Sequence, residues 1–144
     1  MGYTHYSRRA AELPADAFAK AVSDCQKALA HTDIPLAGPM GTGKPVFNGE
    51  ELAFNGPDKQ GCETFRIDRC VVSRDHEPRV FNFCKTNHAR YDICVQVALI
   101  VFAHHFGEAF LVSSDGNDAN WDAARRLCAD SLGYGSDFRL IHSR

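Results

Sequence analysis

The chain has 144 residues, a formal net charge of −2, 44% hydrophobic and 24% charged residues. That length is the size of one domain and buries roughly 70% of its unfolded surface. The composition is that of a globular protein, and the mixed charge excludes one that lives by neutralising many phosphates, so no extended nucleic-acid surface is expected.

In chain order, Tyr3 to Arg8 reads as a short strand, with Tyr3 and His5 on one face and Thr4 and Tyr6 on the other. Pro14 opens a helix in which Phe18, Val22, Cys25 and Leu29 form one apolar stripe. Ile34 to Ala37 leads into a loop over 38–45 with the G-x-x-x-x-G-K spacing of a phosphate-binding loop. Pro45 stands where that motif needs a magnesium-holding hydroxyl, and a strand and turn follow instead of a helix. The loop is therefore a surface feature whose glycines and Lys44 can close over an anion.

Asn48-Gly49 and Asn55-Gly56 are tight-turn signals and predict one or two hairpin strands over 46–54. Residues 63–72 and 79–84 are further strands, parted by a charged turn over 73–78, with Cys62 read as strand core beside an exposed Glu63. Residues 88–106 are apolar nearly all round, the mark of a buried central helix. Gln96, His104 and His105 interrupt that run, and it is too short to cross a bilayer. A strand over 109–112, a helix over 118–132 with Trp121, Ala124, Cys128 and Leu132 inward, and an edge strand over 138–141 complete the chain. The order fits a single α+β domain over 1–144, a mostly antiparallel sheet packed by about three helices.

The six cysteines include no Cys-x-x-Cys pair, and Cys25, Cys94 and Cys128 fall on apolar helix faces. Free thiols in a reducing cytoplasm are the expectation, with no metal site, no cofactor, no signal peptide and no membrane.

Polar groups at element ends are the candidate site. Tyr3, His5 and Tyr6 offer ring stacking and a general acid or base. Lys85 and Thr86 precede the central helix, where Thr86 or Asn87 can cap it and Lys85 adds charge to an anion-favouring helix end. Asp92 joins this ligand-binding set, although its carboxylate repels a phosphate. Ser114 and Asp115 end a buried strand, where Asp115 suits a sugar hydroxyl, the orienting of a histidine or a metal ion, a choice the sequence leaves open. Cys84 reads as a buried structural thiol and Tyr91 as core.

Met1-Gly2-Tyr3-Thr4-His5-Tyr6, Phe54-Asn55-Gly56, Cys62-Glu63-Thr64-Phe65, Phe83-Cys84-Lys85-Thr86, Tyr91-Asp92 and Ser114-Asp115-Gly116 together resemble a family of small bacteriophage and bacterial proteins. That family opens with M-G-Y-T-H-Y-W and carries F-C-K-T, P-Y-D and S-S-D-G segments. The chain departs from it at Ser7, where the pattern has tryptophan, and at Arg90, where it has proline. The resemblance implies a phage or prophage origin and a host cytoplasm. It carries no activity with it.

Three functions fit these residues. The first is a binder sequestering a small anionic, nucleotide-derived signal, with Tyr3 and Tyr6 on the base, Lys85 and Thr86 on the anion, and Ser114 and Asp115 on the sugar. The second is a hydrolase or transferase of a nucleotide-like phosphoester, with His5 as acid or base, Asp115 as its orienter or a metal ligand, and Lys85 as the electrostatic group. The third is an inhibitor of a host protein through an aromatic surface. Each is compatible with a homo-oligomer.

Overall fold

The computed structural model describes residues 2–72 and 78–141. Strand β1 (Thr4–Arg9) alternates strictly, with His5, Ser7 and Arg9 buried and Thr4, Tyr6 and Arg8 half-buried. It is the middle of a three-stranded antiparallel sheet, between β5 (Val80–Lys85) and β6 (Phe110–Ser114). The register sets His5 opposite both Cys84 and Ser114. A second antiparallel sheet, in the order β2 (Val46–Phe47), β3 (Glu51–Phe54), β4 (Phe65–Asp68), follows from the Asn48-Gly49 turn. There Asn48 Oδ1 accepts the N–H groups of Glu50 and Glu51 at 2.9 Å, which closes the hairpin.

Helix α1 (Ala15–Leu29) starts directly after Pro14 and buries Phe18, Val22, Cys25 and Leu29, the stripe read from its spacing. Helix α2 (Asp92–Phe106) buries nine consecutive residues, Cys94 to Phe102, against α1, α3 and β6. At roughly 1.5–3 kcal/mol for each large apolar side chain, this one helix is a dominant contribution to stability. Residues 92–109 pass for a membrane span in length and composition, with mean hydropathy 1.2, but their burial is that of a core helix. Helix α3 (Asp122–Leu132) follows a 3-10 turn, Asp118–Trp121, whose start is closed by reciprocal bonds between Asn117 and Asn120. It buries Ala124 and Cys128 while Leu132 is only partly covered.

The α+β class and the element order stand, with differences at element ends. The central helix begins at Asp92 and not at 88, because Asn87 and His88 take left-handed φ values of 53° and 61° and interrupt it. Neither Thr86 nor Asn87 caps it; Tyr91 is the N-cap and lends no side-chain bond. Residues 138–141 form no strand, since only Ile141 N–H reaches β6, at Val112 O, while Leu140 N–H turns to Asp118 Oδ1. Cys62 is exposed, not strand core, and most of the charged turn, 73–77, lies outside the described residues. All six cysteines are free, and burial pushes the Cys84, Cys94 and Cys128 thiols up to about 12.

The two sheets meet edge to edge. Glu63 N–H donates to Lys85 O, Lys85 N–H to Glu63 Oε1, and Asn82 Nδ2 to Arg66 O, so the segment leading into β4 is tied to the edge of β5. The two sheets remain separate. The Asn82 amide stands between them: its Oδ1 accepts Phe83 N–H at 2.9 Å and its Nδ2 reaches Arg66 O at 3.3 Å, occupying groups a backbone ladder would use.

Candidate functional site

Five of the residues singled out from the sequence converge at the end of β1. His5 Nε2 lies 2.6 Å from Asp92 Oδ1 and His5 Nδ1 lies 2.8 Å from Ser114 Oγ. Thr86 Oγ1 also donates to Asp92 Oδ1 at 2.5 Å, and Gln96 Nε2 to Asp92 Oδ2 at 3.0 Å. A carboxylate only accepts, so His5 carries its proton on Nε2 and presents a lone pair at Nδ1. Ser114 Oγ accepts the Gly116 N–H at 2.9 Å, which leaves its own hydrogen for Nδ1. The result is a Ser–His–Asp chain with the imidazole nitrogens exchanged relative to the usual hydrolase order.

Rings enclose this network. Tyr3 meets His5 edge-on at 5.0 Å and stacks on His88 at 3.7 Å, and Trp121 meets His5 edge-on at 4.9 Å. The His5 side chain is wholly buried and that of Asp92 is 15% exposed. Burial, then the Asp92 charge, raises the Tyr3 hydroxyl above its ordinary range. Gly116 is required here, because a Cβ on it would sit 2.3 Å from the Tyr3 hydroxyl. A pocket of about 190 Å³ opens beside Ser114, lined by Gly116 to Asp118 and by Leu140 and Ile141.

The remaining predicted residues lie elsewhere. Asp115 does not orient His5; its oxygens take the Tyr6 hydroxyl at 2.8 Å and the Thr4 N–H at 3.1 Å. Lys85 is exposed beside Gly2 and does not face the start of α2, where Asp92 itself occupies the helix end. The eight residues named from sequence therefore divide into a connected set, with Tyr3, His5 and Thr86 buried and Asp92 and Ser114 half-buried, and a set on the opposite side of β1: Tyr6, Lys85 and Asp115. The Gly38–Pro45 loop closes on itself through Gly38 N–H to Gly43 O and leads into β2, without a phosphate-cradling helix.

A second opening is the slot between β4 and β5, beside Asn82. It measures about 270 Å³, with Leu99 of α2 among its lining residues, together with His5, Ser7 and Arg9 of β1. Arg66 and Asp68 line it from β4, and Asn82 and Cys84 from β5. Arg9 is only 2% exposed. Its guanidinium donates to the carbonyls of Ala10, Ala11, Asp68 and Arg69, and none of the ion pairs among the described residues includes it. Burial lowers its pKa from the ordinary value and the nearby Asp68 opposes that shift. The slot is thus walled by a buried guanidinium whose direct partners are backbone carbonyls, with the Asp68 carboxylate in the same lining.

Ser7, Arg9, Arg66, Asn82 and Gln96 were not singled out from sequence. The alternation His5-Ser7-Arg9 was a readable signal, since it puts an arginine on the buried face of β1. No group of three or more metal-ligating side chains exists among the described residues. Compared with known proteins, the chain matches no family model, no curated protein and no solved structure.

Proposed function

We propose that the protein binds a small anionic, nucleotide-like ligand in the slot between β4 and β5, and sequesters it in a host cytoplasm. The phage setting rests on the sequence resemblance; the ligand class rests on the slot. The observation that carries the reading is Arg9, a buried guanidinium without an acidic ion-pair partner on the wall of a 270 Å³ opening. Arg66 adds a second cation on the β4 wall, and the Asn82 amide and Ser7 hydroxyl supply polar groups for a base or sugar.

Thermal-shift titration with mono-, di- and cyclic nucleotides tests it. A nucleotide that raises the melting temperature of the wild type does so far less in Arg66→Glu, whose surface ion pairs with Glu51 and Asp68 contribute little to folding. The affinity loss expected for reversing one charged contact is about tenfold or more. Equal shifts in both proteins would move the ligand out of the slot.

A second reading has its own observation, the Ser114–His5–Asp92 chain beside the 190 Å³ pocket. In it Ser114 Oγ attacks a phosphoester or acyl centre, its proton passes to His5 Nδ1 and then to the leaving oxygen, and water releases the product by the same route. Turnover that survives in Arg66→Glu and vanishes in Ser114→Ala favours this reading over sequestration.

A further inference from the structure

The outer face of the β5-β1-β6 sheet is built differently from its inner one. The register places Thr4, Tyr6 and Arg8 opposite Lys85, Phe83 and Phe81, all on the side away from the buried His5, Ser7 and Arg9. Phe81 is 45% exposed and Phe83 55% exposed, an unusual state for two phenylalanines in one strand. The rings form a continuous group: Tyr6 and Phe81 are 5.9 Å apart at an interplanar angle of 25°, and Phe81 and Phe83 6.1 Å apart at 35°. The Arg8 guanidinium lies 4.9 Å from the Phe81 ring centre. Lys85 extends the same face at the end of β5. Two acids lie close: Asp115 accepts from Tyr6 and Thr4, and Glu63 Oε1 accepts the Lys85 N–H.

We infer that this face binds a short stretch of single-stranded nucleic acid, with bases stacking on Tyr6, Phe81 and Phe83 and phosphates meeting Arg8 and Lys85. The charge complementarity decides the occupant. Rings that stack on bases, flanked on the same side by two cations that meet phosphates, fit a nucleic-acid strand. The mixed overall charge does not oppose this, because stacking supplies affinity that phosphate neutralisation alone would not. The site spans three rings, so the occupant is a few nucleotides long and read with little base preference.

The test uses the full chain and fluorescein-labelled octamers of deoxythymidine and of uridine, followed by fluorescence anisotropy. The wild type is expected to bind within about 100 μM, the weak end of non-specific affinity. Phe81→Ala/Phe83→Ala is expected to weaken binding by about tenfold or more, and Arg8→Ala to reduce the salt dependence by about one unit of slope at most. Both phenylalanines are about half exposed, and the double variant is expected to fold. If its circular dichroism melt nevertheless collapses, Phe83→Leu keeps the apolar contact and removes the ring, and must show the same loss. Two results overturn the inference: no anisotropy change with either octamer, or binding that the ring variants leave intact. A protein that binds no octamer but sediments as a dimer until Phe81 and Phe83 are replaced would assign the face to a second copy, and so also overturn it.

Discussion

Asp92 does the most for its size. As the first residue of α2 it sits where a helix favours negative charge, and it accepts bonds from His5, Thr86 and Gln96. Asp92→Ala leaves those donors, enclosed by Tyr3 and Trp121, without their acceptor. The expected loss is about 3 kcal/mol, read from urea unfolding followed by the fluorescence of Trp121, the single tryptophan. Asp92→Asn keeps an acceptor oxygen and should lose less; equal losses would mean that the charge, and not the bonds, matters. Tyr3, His5, Thr86, Asp92 and Ser114 were legible in the sequence as polar groups at element ends. Their pairing was not. Which acid reaches His5 depends on where α2 starts, and that was set by left-handed Asn87 and His88, which no spacing rule announces.

At the scale of elements, the hairpin at Asn48, the α1 stripe and the all-round apolar α2 followed from local chemistry and were readable. The split between β4 and β5 was not, because it depends on one side-chain amide, Asn82, whose direction follows from strand order. Between helices, a smaller polar contact ties α1 to α2 and the segment after α3: Asp24 Oδ2 takes the Tyr134 hydroxyl at 2.7 Å and His105 Nε2 at 2.8 Å. Burial alone would raise the Asp24 pKa, but these bonds outweigh it and hold the carboxyl below its ordinary value. A depressed folded-state pKa stabilises above the unfolded value and is lost as pH falls through the folded one. Asp24→Asn should therefore cost about 1 kcal/mol or less near neutral pH, since the pair is partly exposed, and the gap to wild type should close below pH ~4. A gap that stays constant down to acid pH would show that Asp24 acts by packing alone.

The whole molecule separates its two kinds of surface with one strand. On the inner face of β1 lie the His5 network and Arg9; on the outer face lie Tyr6, Phe81 and Phe83 with Arg8 and Lys85, and the slot touches both faces, since Tyr6, Phe81 and Phe83 also line it. The α+β class was legible from the alternation of β1, the apolar stripe of α1 and the all-round apolar run of α2. The division of the candidate residues between the two faces was legible in part, since Tyr3 and His5 already alternated with Thr4 and Tyr6. What no periodicity could give was the slot, made from β4 and β5, strands of two different sheets.

The most direct measurement on the central claim is to incubate the protein with a pool of nucleotides, cyclic dinucleotides and ADP-ribose derivatives, and to profile the free molecules by liquid chromatography and mass spectrometry before and after heat denaturation. The slot reading predicts that one anionic species leaves solution with wild-type protein, returns intact on heating, and stays free with Arg66→Glu. A species converted to a new mass would contradict sequestration and move the function to Ser114 and His5, and a pool left unchanged would contradict a nucleotide-like ligand altogether.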